Sequence, residues 1–226
     1  MRILYLIPAR SGSKGLPGKN TKILGDKPLI SYSIDFALQN LKNGDELCIS
    51  TDDENVIDIA IKKGINIPFK RPFELATDSS TTYDVLIHAI NHYLILGERF
   101  DALLLLQPTS PFRTNNDLKS MLSLYDNNLD MVVSVKIAKE NPYFTLFEEN
   151  NGYIVKSKNK NFDRRQDCPE VYAFNGSIYL ININSLMNSK INEFTKIRKF
   201  VMPDERSIDI DSLADWLLAE FYLDKQ

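Results

Sequence analysis

Short apolar runs alternate with longer amphipathic stretches along most of this chain, and that rhythm restricts its fold more than any other feature. Residues 3–7 (ILYLI) form a continuous apolar run bounded by Pro8. A run of that length without polar alternation is a strand covered on both faces, the usual state in a parallel sheet. Residues 47–50, 102–106 and 131–135 repeat the pattern. Between them lie helical stretches. Residues 28–40 open on Pro28, a favoured first helical residue, and place Ile30, Ile34, Ala37 and Leu38 on one face. Residues 53–63 stop at Gly64 and residues 82–96 at Gly97, and residues 114–127 form a fourth helix. A last helix over 212–223 carries Leu213, Trp216, Leu217 and Phe221 on one face, read as a core stripe.

Strands that alternate with helices of this length predict an α/β fold: a mostly parallel twisted sheet, right-handed crossovers, and helices on both faces. Ligands bind such sheets beyond the carboxyl ends of the strands. The loops after Ile7, Ser50 and Leu106 are therefore the places where chemistry is expected. The rhythm breaks after about residue 138. Asn151-Gly152 between two mixed segments predicts a type I′ hairpin, and residues 156–165 carry five basic residues against one acidic. Residues 139–170 thus form an excursion from a main domain built of 1–138 and 171–226.

Composition narrows the class. At 226 residues, 43% hydrophobic and 25% charged, the chain can bury a sizeable core and is too apolar for disorder. Two cysteines, Cys48 and Cys168, cannot make a disulfide framework, which points to the cytoplasm. No apolar stretch approaches the length of a membrane span, so no membrane partner is expected. A net charge of −3 argues against nucleic acid as a partner. The charge is uneven, however: residues 1–30 hold six basic residues against one acidic, and the rest of the chain 21 against 29. That asymmetry predicts a local anion site.

Four constellations carry chemistry. Residues 7–20 (IPARSGSKGLPGKN) follow the first strand and interleave three glycines with Arg10, Lys14 and Lys19. Glycine lets backbone amides approach a phosphate and form an anion nest. The spacing fits neither a Walker A loop nor GxGxxG. Residues 71–82 (RPFELATDSSTT) pair Arg71 with four consecutive hydroxyls before a helix, a pattern that also serves as a helix N-cap. Residues 107–113 (QPTSPFR) form a proline-stiffened loop in which Gln107 can donate and accept hydrogen bonds and Arg113 can pair with an anion. Residues 207–212 (SIDIDS) place Asp209 and Asp211 on one side of an extended segment, where two repelling carboxylates fit Mg²⁺ with phosphate oxygens. His88 and His92 share a helix face, but no third zinc ligand accompanies them.

In this order, IPARSGSKGLPGKN, RPFELATD, QPTSPFR, NGSIYL (175–180) and SIDIDS resemble the acylneuraminate cytidylyltransferases, the CMP-sialic acid or CMP-nonulosonic acid synthetases, from residue 3 to about residue 220. The resemblance implies a Rossmann-like nucleotidyltransferase fold. It also implies a reaction in which CTP and a nine-carbon acid sugar give a CMP-sugar and pyrophosphate, by attack of the anomeric hydroxyl on the α-phosphate. Arg10, Ser13, Lys14, Lys19 and Asn20 would hold the triphosphate and ribose, and Arg71, Ser80 and Thr82 would read the base. Gln107, Tyr179 and Arg165 would contact the sugar, with Arg165 on its carboxylate. Asp209 and Asp211 would hold Mg²⁺, and with Lys19 they would form the catalytic set. The excursion resembles a dimerisation element that lends residues to the partner's site, so the expected state is a homodimer.

Two positions depart from relatives specific for N-acetylneuraminate. Phe144 stands where they carry Lys, and Ala173-Phe174 where some carry Arg. Both changes remove cations from the expected sugar pocket and admit legionaminate or Kdn beside N-acetylneuraminate. The alternatives are a Kdo cytidylyltransferase, which usually lacks QPTSPFR, and a catalytically silent nucleotide-binding module. A silent module would have lost Lys19, Asp209 or Asp211, and all three are present.

Overall fold

The computed structural model describes residues 1–12 and 15–225. The expected Ser13 and Lys14 lie outside the described residues. The strands are β1 (Ile3–Ala9), β2 (Ile23–Leu24), β3 (Lys27–Pro28), β4 (Glu46–Thr51), β5 (Ala102–Leu106), β6 (Met131–Ile137), β7 (Phe147–Asn150), β8 (Tyr153–Lys156), β9 (Tyr172–Asn182) and β10 (Ile197–Val201). The helices are α1 (Leu29–Asn40), α2 (Glu54–Lys62), α3 (Thr82–Ile95), α4 (Asn115–Leu124), α5 (Ile183–Asn188) and α6 (Leu213–Leu223).

Six strands form one sheet in the order β10-β6-β9-β5-β1-β4. Its neighbours run parallel except β9, which is antiparallel to both β5 and β6. Side chains along β1 alternate between two cores, as the period of two requires. Ile3, Tyr5, Ile7 and Ala9 pack with Ile30, Ile34 and Ala37 of α1, Val56 and Ala60 of α2, and Leu118 and Met121 of α4. Leu4 and Leu6 pack on the other face with Leu86, Ala89, Ile90 and Tyr93 of α3 and Leu186 of α5. The sheet is thus covered on both sides, as expected for apolar runs that offer no polar face.

Several local outcomes differ from the sequence reading. Strand β1 continues through Pro8 to Ala9, pairing Pro8 with Ser50 of β4. Pairing to β5 ends at Leu6, so beyond it β1 has one neighbour and a residue without an N–H is tolerated. Helix α4 ends at Leu124, three residues early, because Asp126 Oδ1 accepts from the Asn128 backbone at 2.8 Å and forms a turn instead. On α6, Leu213, Leu217 and Phe221 are exposed, at 59%, 57% and 51%, and only Trp216 and Ala219 are buried. The helix seats its i, i+3 face, Trp216 and Ala219, in a third core with Leu24, Leu29, Phe112, Ile208 and Ile210, which turns the leucine stripe outward.

Between β6 and β9 the chain leaves the sheet and forms the β7–β8 hairpin. Asn151 and Gly152 both take positive φ, 53° and 81°, as a type I′ turn demands. The hairpin is exposed almost throughout. Among the described residues no helix is long and apolar enough to cross a membrane.

Candidate active site

A cleft of about 440 Å³ opens beyond the carboxyl ends of β1, β4 and β5. Arg10, Lys19, Asn20, Arg71, Ser80, Thr82, Gln107 and Asp211 all line it, so eight sequence-expected residues meet in one place. Each arrives by a different local route. Arg10 leaves the end of β1, and its guanidinium pairs with Asp78 at 2.7 Å. The Asn20 amide is buried and donates to the Arg10 carbonyl at 3.2 Å, which closes the glycine-rich loop on itself. Lys19 reaches across to the segment before α6, donating to the Ile210 carbonyl at 2.9 Å and pairing with Asp211 Oδ1 at 2.7 Å.

Arg71 sits beside the end of β4, where Thr51 and Lys70 form a parallel bridge. Its buried guanidinium donates to Ser50 Oγ at 3.0 Å and to the Ser50 carbonyl. Burial pulls it down to about 10, with Asp52 opposing, so it remains a cation at neutral pH. Of the hydroxyls 79–82, Thr81 is the N-cap of α3 in a reciprocal capping box with Asp84. Ser80 Oγ donates to the Glu74 carbonyl at 2.6 Å and so folds the 71–80 loop against the cleft. The segment thus caps α3 through Thr81 and also lines the cleft through Ser80, Thr81 and Thr82.

Gln107 follows β5 directly, and the loop after it is rigid for a reason the prolines do not explain. The fully buried guanidinium of Arg113 bonds Ser33 Oγ at 3.1 Å, Ser177 Oγ at 3.4 Å, the Ser110 carbonyl at 2.6 Å and the Gln107 carbonyl. Among the described residues Arg113 forms no ion pair, and its donors serve hydroxyls and carbonyls rather than the anion expected of it. Four of its five donors are used on the protein itself, and its charge lies near Asp209.

Asp209 and Asp211 occupy different environments. The Asp211 side chain is 72% exposed at the cleft. Asp209 is largely buried; its Oδ1 and the neighbouring Thr109 hydroxyl make no hydrogen bond of ordinary geometry, though the hydroxyl is close enough to favour the ionised carboxylate. Burial, with Asp211 alongside, lifts the Asp209 carboxyl above the usual carboxylate range. The segment is tied to the sheet by Asn175, which donates to Ser207 Oγ at 2.9 Å and bonds Ser134 Oγ at 2.7 Å. A Cβ on Gly176, at φ +74°, would lie 2.8 Å from Asp209 Oδ2, so only glycine lets the carboxylate rest there. Gly15 serves the same end, because a Cβ there would collide with the Asp211 carbonyl.

Tyr179 lines a neighbouring cavity that shares Thr81, Thr82 and Gln107 with the cleft. Burial, with Asp209 nearby, pushes its hydroxyl up to about 12. Arg165 is not brought to this cleft: it lines a separate cavity beside Lys139 and donates to the Lys139 carbonyl. Sequence reasoning missed Asp52, Asp78 and Thr109. Asp52 accepts from the Ser11 backbone at 3.0 Å and from the Ser11 hydroxyl, holding the glycine-rich loop over the sheet. Its position just after the second strand was the available signal. Elsewhere, Phe69 packs against both His88 and His92, at 4.6 and 4.8 Å between ring centroids. Among the described residues no group of three or more His, Cys, Asp or Glu is clustered to hold a metal ion.

The chain is similar to known proteins in sequence and fold. The family model described as Cytidylyltransferase matches residues 4–214. The chain is 36% identical to CMP-N,N'-diacetyllegionaminic acid synthase of Legionella pneumophila, across 97% of this chain and 95% of the relative. It is 34% identical to the post-translational flagellin modification protein B of Campylobacter coli, across 98% and 94%. The N-acylneuraminate cytidylyltransferase of Streptococcus agalactiae is 33% identical over 96% of this chain, which spans only 52% of that longer protein. The solved CMP:2-keto-3-deoxy-manno-octonic acid synthetase complexed with CTP aligns with a TM-score of 0.71 over 100% of this chain and 99% of its own, at 20% identity, a likeness of fold. A sheet edge that gathers Arg10, Lys19 and Arg71 into one cleft, within a match running nearly end to end, makes this chain a nucleotidyltransferase belonging to the cytidylyltransferase family.

Proposed function

We propose that the protein transfers the cytidylyl group of CTP to a nonulosonic acid, giving the CMP-sugar and pyrophosphate. The anomeric hydroxyl attacks the α-phosphate, a bond to that phosphorus forms, and the bond to pyrophosphate breaks. The observation that carries this reading is the cleft in which three cations from two segments, Arg10 and Lys19 of the glycine-rich loop and Arg71, line one wall with Asp211 beyond the carboxyl ends of the sheet. The full-length relatives named for CMP-legionaminic acid synthesis support the acceptor class.

In this reading Arg10, Lys14 and Lys19 neutralise the triphosphate, and Ser13 and Asn20 help hold it and the ribose, Asn20 also keeping their loop closed. Arg71, Ser80 and Thr82 face the base, Gln107 and Tyr179 the acceptor. Phosphoryl-type transfer needs positioning and charge neutralisation more than covalent help. The Lys19–Asp211 pair at 2.7 Å fits that need, since a phosphate oxygen competes for its cation and a metal ion for its carboxylate. The unpartnered buried oxygen of Asp209 beside exposed Asp211 suits a hard divalent ion, and both would hold Mg²⁺. When bound, that ion would neutralise phosphate charge that the lysine and arginine leave uncompensated.

The working state is a homodimer in the cytoplasm. A two-stranded hairpin is marginal alone in water, and β7–β8 exposes Phe147, Tyr153, Ile154 and Val155, which supports residues 139–170 as the dimerisation element. Arg165, displaced from its own cleft, then serves the partner's acceptor carboxylate.

Pyrophosphate release with CTP and Mg²⁺ is measured against N-acetylneuraminate, legionaminate, Kdn and Kdo. Release with a nine-carbon acid is expected. Release with Kdo alone would move the reading to the eight-carbon alternative, and CTP binding without release would leave a silent module.

A further inference from the structure

The carboxyl end of β4 carries three consecutive polar residues, Ser50, Thr51 and Asp52, and each is bonded to a segment that reaches the cleft. Ser50 seats the Arg71 guanidinium, and the Thr51 carbonyl accepts from the Arg71 backbone at 2.8 Å. The Thr51 hydroxyl donates to the Ala9 carbonyl, one residue before Arg10. Asp52 accepts twice from Ser11, one residue past Arg10 and 41 residues away along the chain: Oδ1 from the backbone N–H at 3.0 Å, Oδ2 from the hydroxyl. Arg10 is thus held from both sides by the end of one strand. The next carboxylate, Asp53, is used locally as the N-cap of α2. Asp52 itself does not line the cleft. Burial opposes its ionisation, but the Ser11 bonds, its own backbone N–H and the Arg71 charge outweigh that and hold the carboxyl below the ordinary value.

We propose that Asp52 is a positioning residue for CTP: through Ser11 it holds the glycine-rich loop in the shape that presents Arg10 and Lys19 to the triphosphate. The inference rests on the nucleotide reading above and adds to it a residue behind the cleft wall. Ordering a glycine-rich loop costs more backbone freedom than ordering other segments, and a loop ordered before binding relieves the ligand of that cost. The Asn20 bond to the Arg10 carbonyl closes the loop on itself, and Asp52 fixes its first turn to the sheet. A carboxylate beside an anion site opposes CTP by its charge. The two effects therefore differ in sign. Charge alone predicts that removing Asp52 tightens CTP binding, and positioning predicts that it weakens it.

The test measures the Kd for CTP with Mg²⁺ by titration calorimetry on the full chain, so that no acceptor sugar enters the readout. Asp52→Ala removes both acceptors and should raise Kd at least about tenfold. Asp52→Asn loses the charge but keeps an amide oxygen for the Ser11 N–H, so it should raise Kd about threefold, a partial rescue that a pure charge effect does not produce. Ser11→Ala alone should also raise Kd about threefold, and added to Asp52→Ala it should change Kd by less than about twofold, since its partner is already gone. At saturating CTP and acid sugar, kcat should stay within about threefold of wild type. A Kd unchanged or lowered in both Asp52 variants overturns the inference and leaves the cytidylyltransfer reading standing. A fall in kcat with Kd intact overturns it as well. Should Asp52→Ala fail to fold by circular dichroism, Asp52→Asn and Ser11→Ala decide by the same criterion. A wild-type protein that binds no CTP overturns the nucleotide reading, and this inference with it.

Discussion

The main domain and the 139–170 excursion treat polar and apolar groups in opposite ways. In the domain, polar side chains go inside and are bonded there: Arg113, Asn175, Ser134 and Ser207 are all buried, and each has partners. In the excursion, apolar side chains stay outside: Tyr153 and Ile154 are 77% and 72% exposed on a hairpin with no core of its own. The domain bonds these four buried side chains within one chain, and that network sets where Gln107 and Asp209 stand. The excursion leaves its apolar surface for another surface to cover. One region is a scaffold for a site, and the other, on the reading proposed above, is half of a contact.

The largest test of that contrast is Arg113→Met. It removes the donors serving two carbonyls and two hydroxyls, and the loss of stability should be about 3 kcal/mol. A urea-unfolding midpoint identical to wild type would mean the buried cation contributes nothing net. Asp211→Asn comes next. With the fold intact by circular dichroism, turnover at saturating Mg²⁺ should drop about 100-fold. Wild-type turnover there would remove Asp211 from the catalytic set.

A smaller effect is expected in the excursion. Ile154→Asp places a charge on exposed apolar surface, so the body's melting temperature should hardly move. The dimer should weaken at least about tenfold, read by light scattering across a dilution series. A wild-type chain that is monomeric and fully active would erase the contrast itself. The smallest effect concerns a charged cluster of the main domain. Lys27 and Lys63 both pair with Asp35, the first at 2.6 Å. Burial opposes ionisation of Asp35, but the two lysines outweigh it and hold its carboxyl below the ordinary value. A depressed carboxyl stabilises the fold above the unfolded pKa and loses that contribution as pH falls through the folded one. Asp35→Asn should therefore cost about 1 kcal/mol at pH 7, and the difference should fade as pH drops below about 4. An equal cost at both ends of that range would assign the loss to packing.

Much of the fold was legible along the chain. Strands β1, β4, β5 and β6 and helices α1 to α3 stand within two residues of where their periodicity put them, because an unbroken apolar run has no stable place except a sheet covered twice. The short β2–β3 ladder and β10 were not legible: the first is two residues long, and the second reads IRKFV, which local pattern does not separate from a polar loop. The last helix was legible as a helix and misread as to its face. Both stripes on α6 are apolar, and only the position of Leu24, Phe112 and Ile210 decides which one is buried.

The site divides along the same line. The sequence by itself determined which residue types stand at the carboxyl ends of the strands: the glycines and cations after β1, Gln107 after β5, and the two aspartates before α6. These follow from local order, since a strand end and the loop after it are neighbours in the chain. Only the tertiary structure decided what each charge does. Arg10, Arg71 and Arg113 are the same side chain in the sequence. In space the first is paired at the rim with Asp78, the second lines the cleft from a buried seat on Ser50, and the third is consumed by the protein's own carbonyls. A cation's role depends on its partners and on the water it has lost, and for each arginine at least one deciding partner comes from a distant segment: Asp78 is 68 residues from Arg10, Ser50 is 21 from Arg71 and Ser33 is 80 from Arg113.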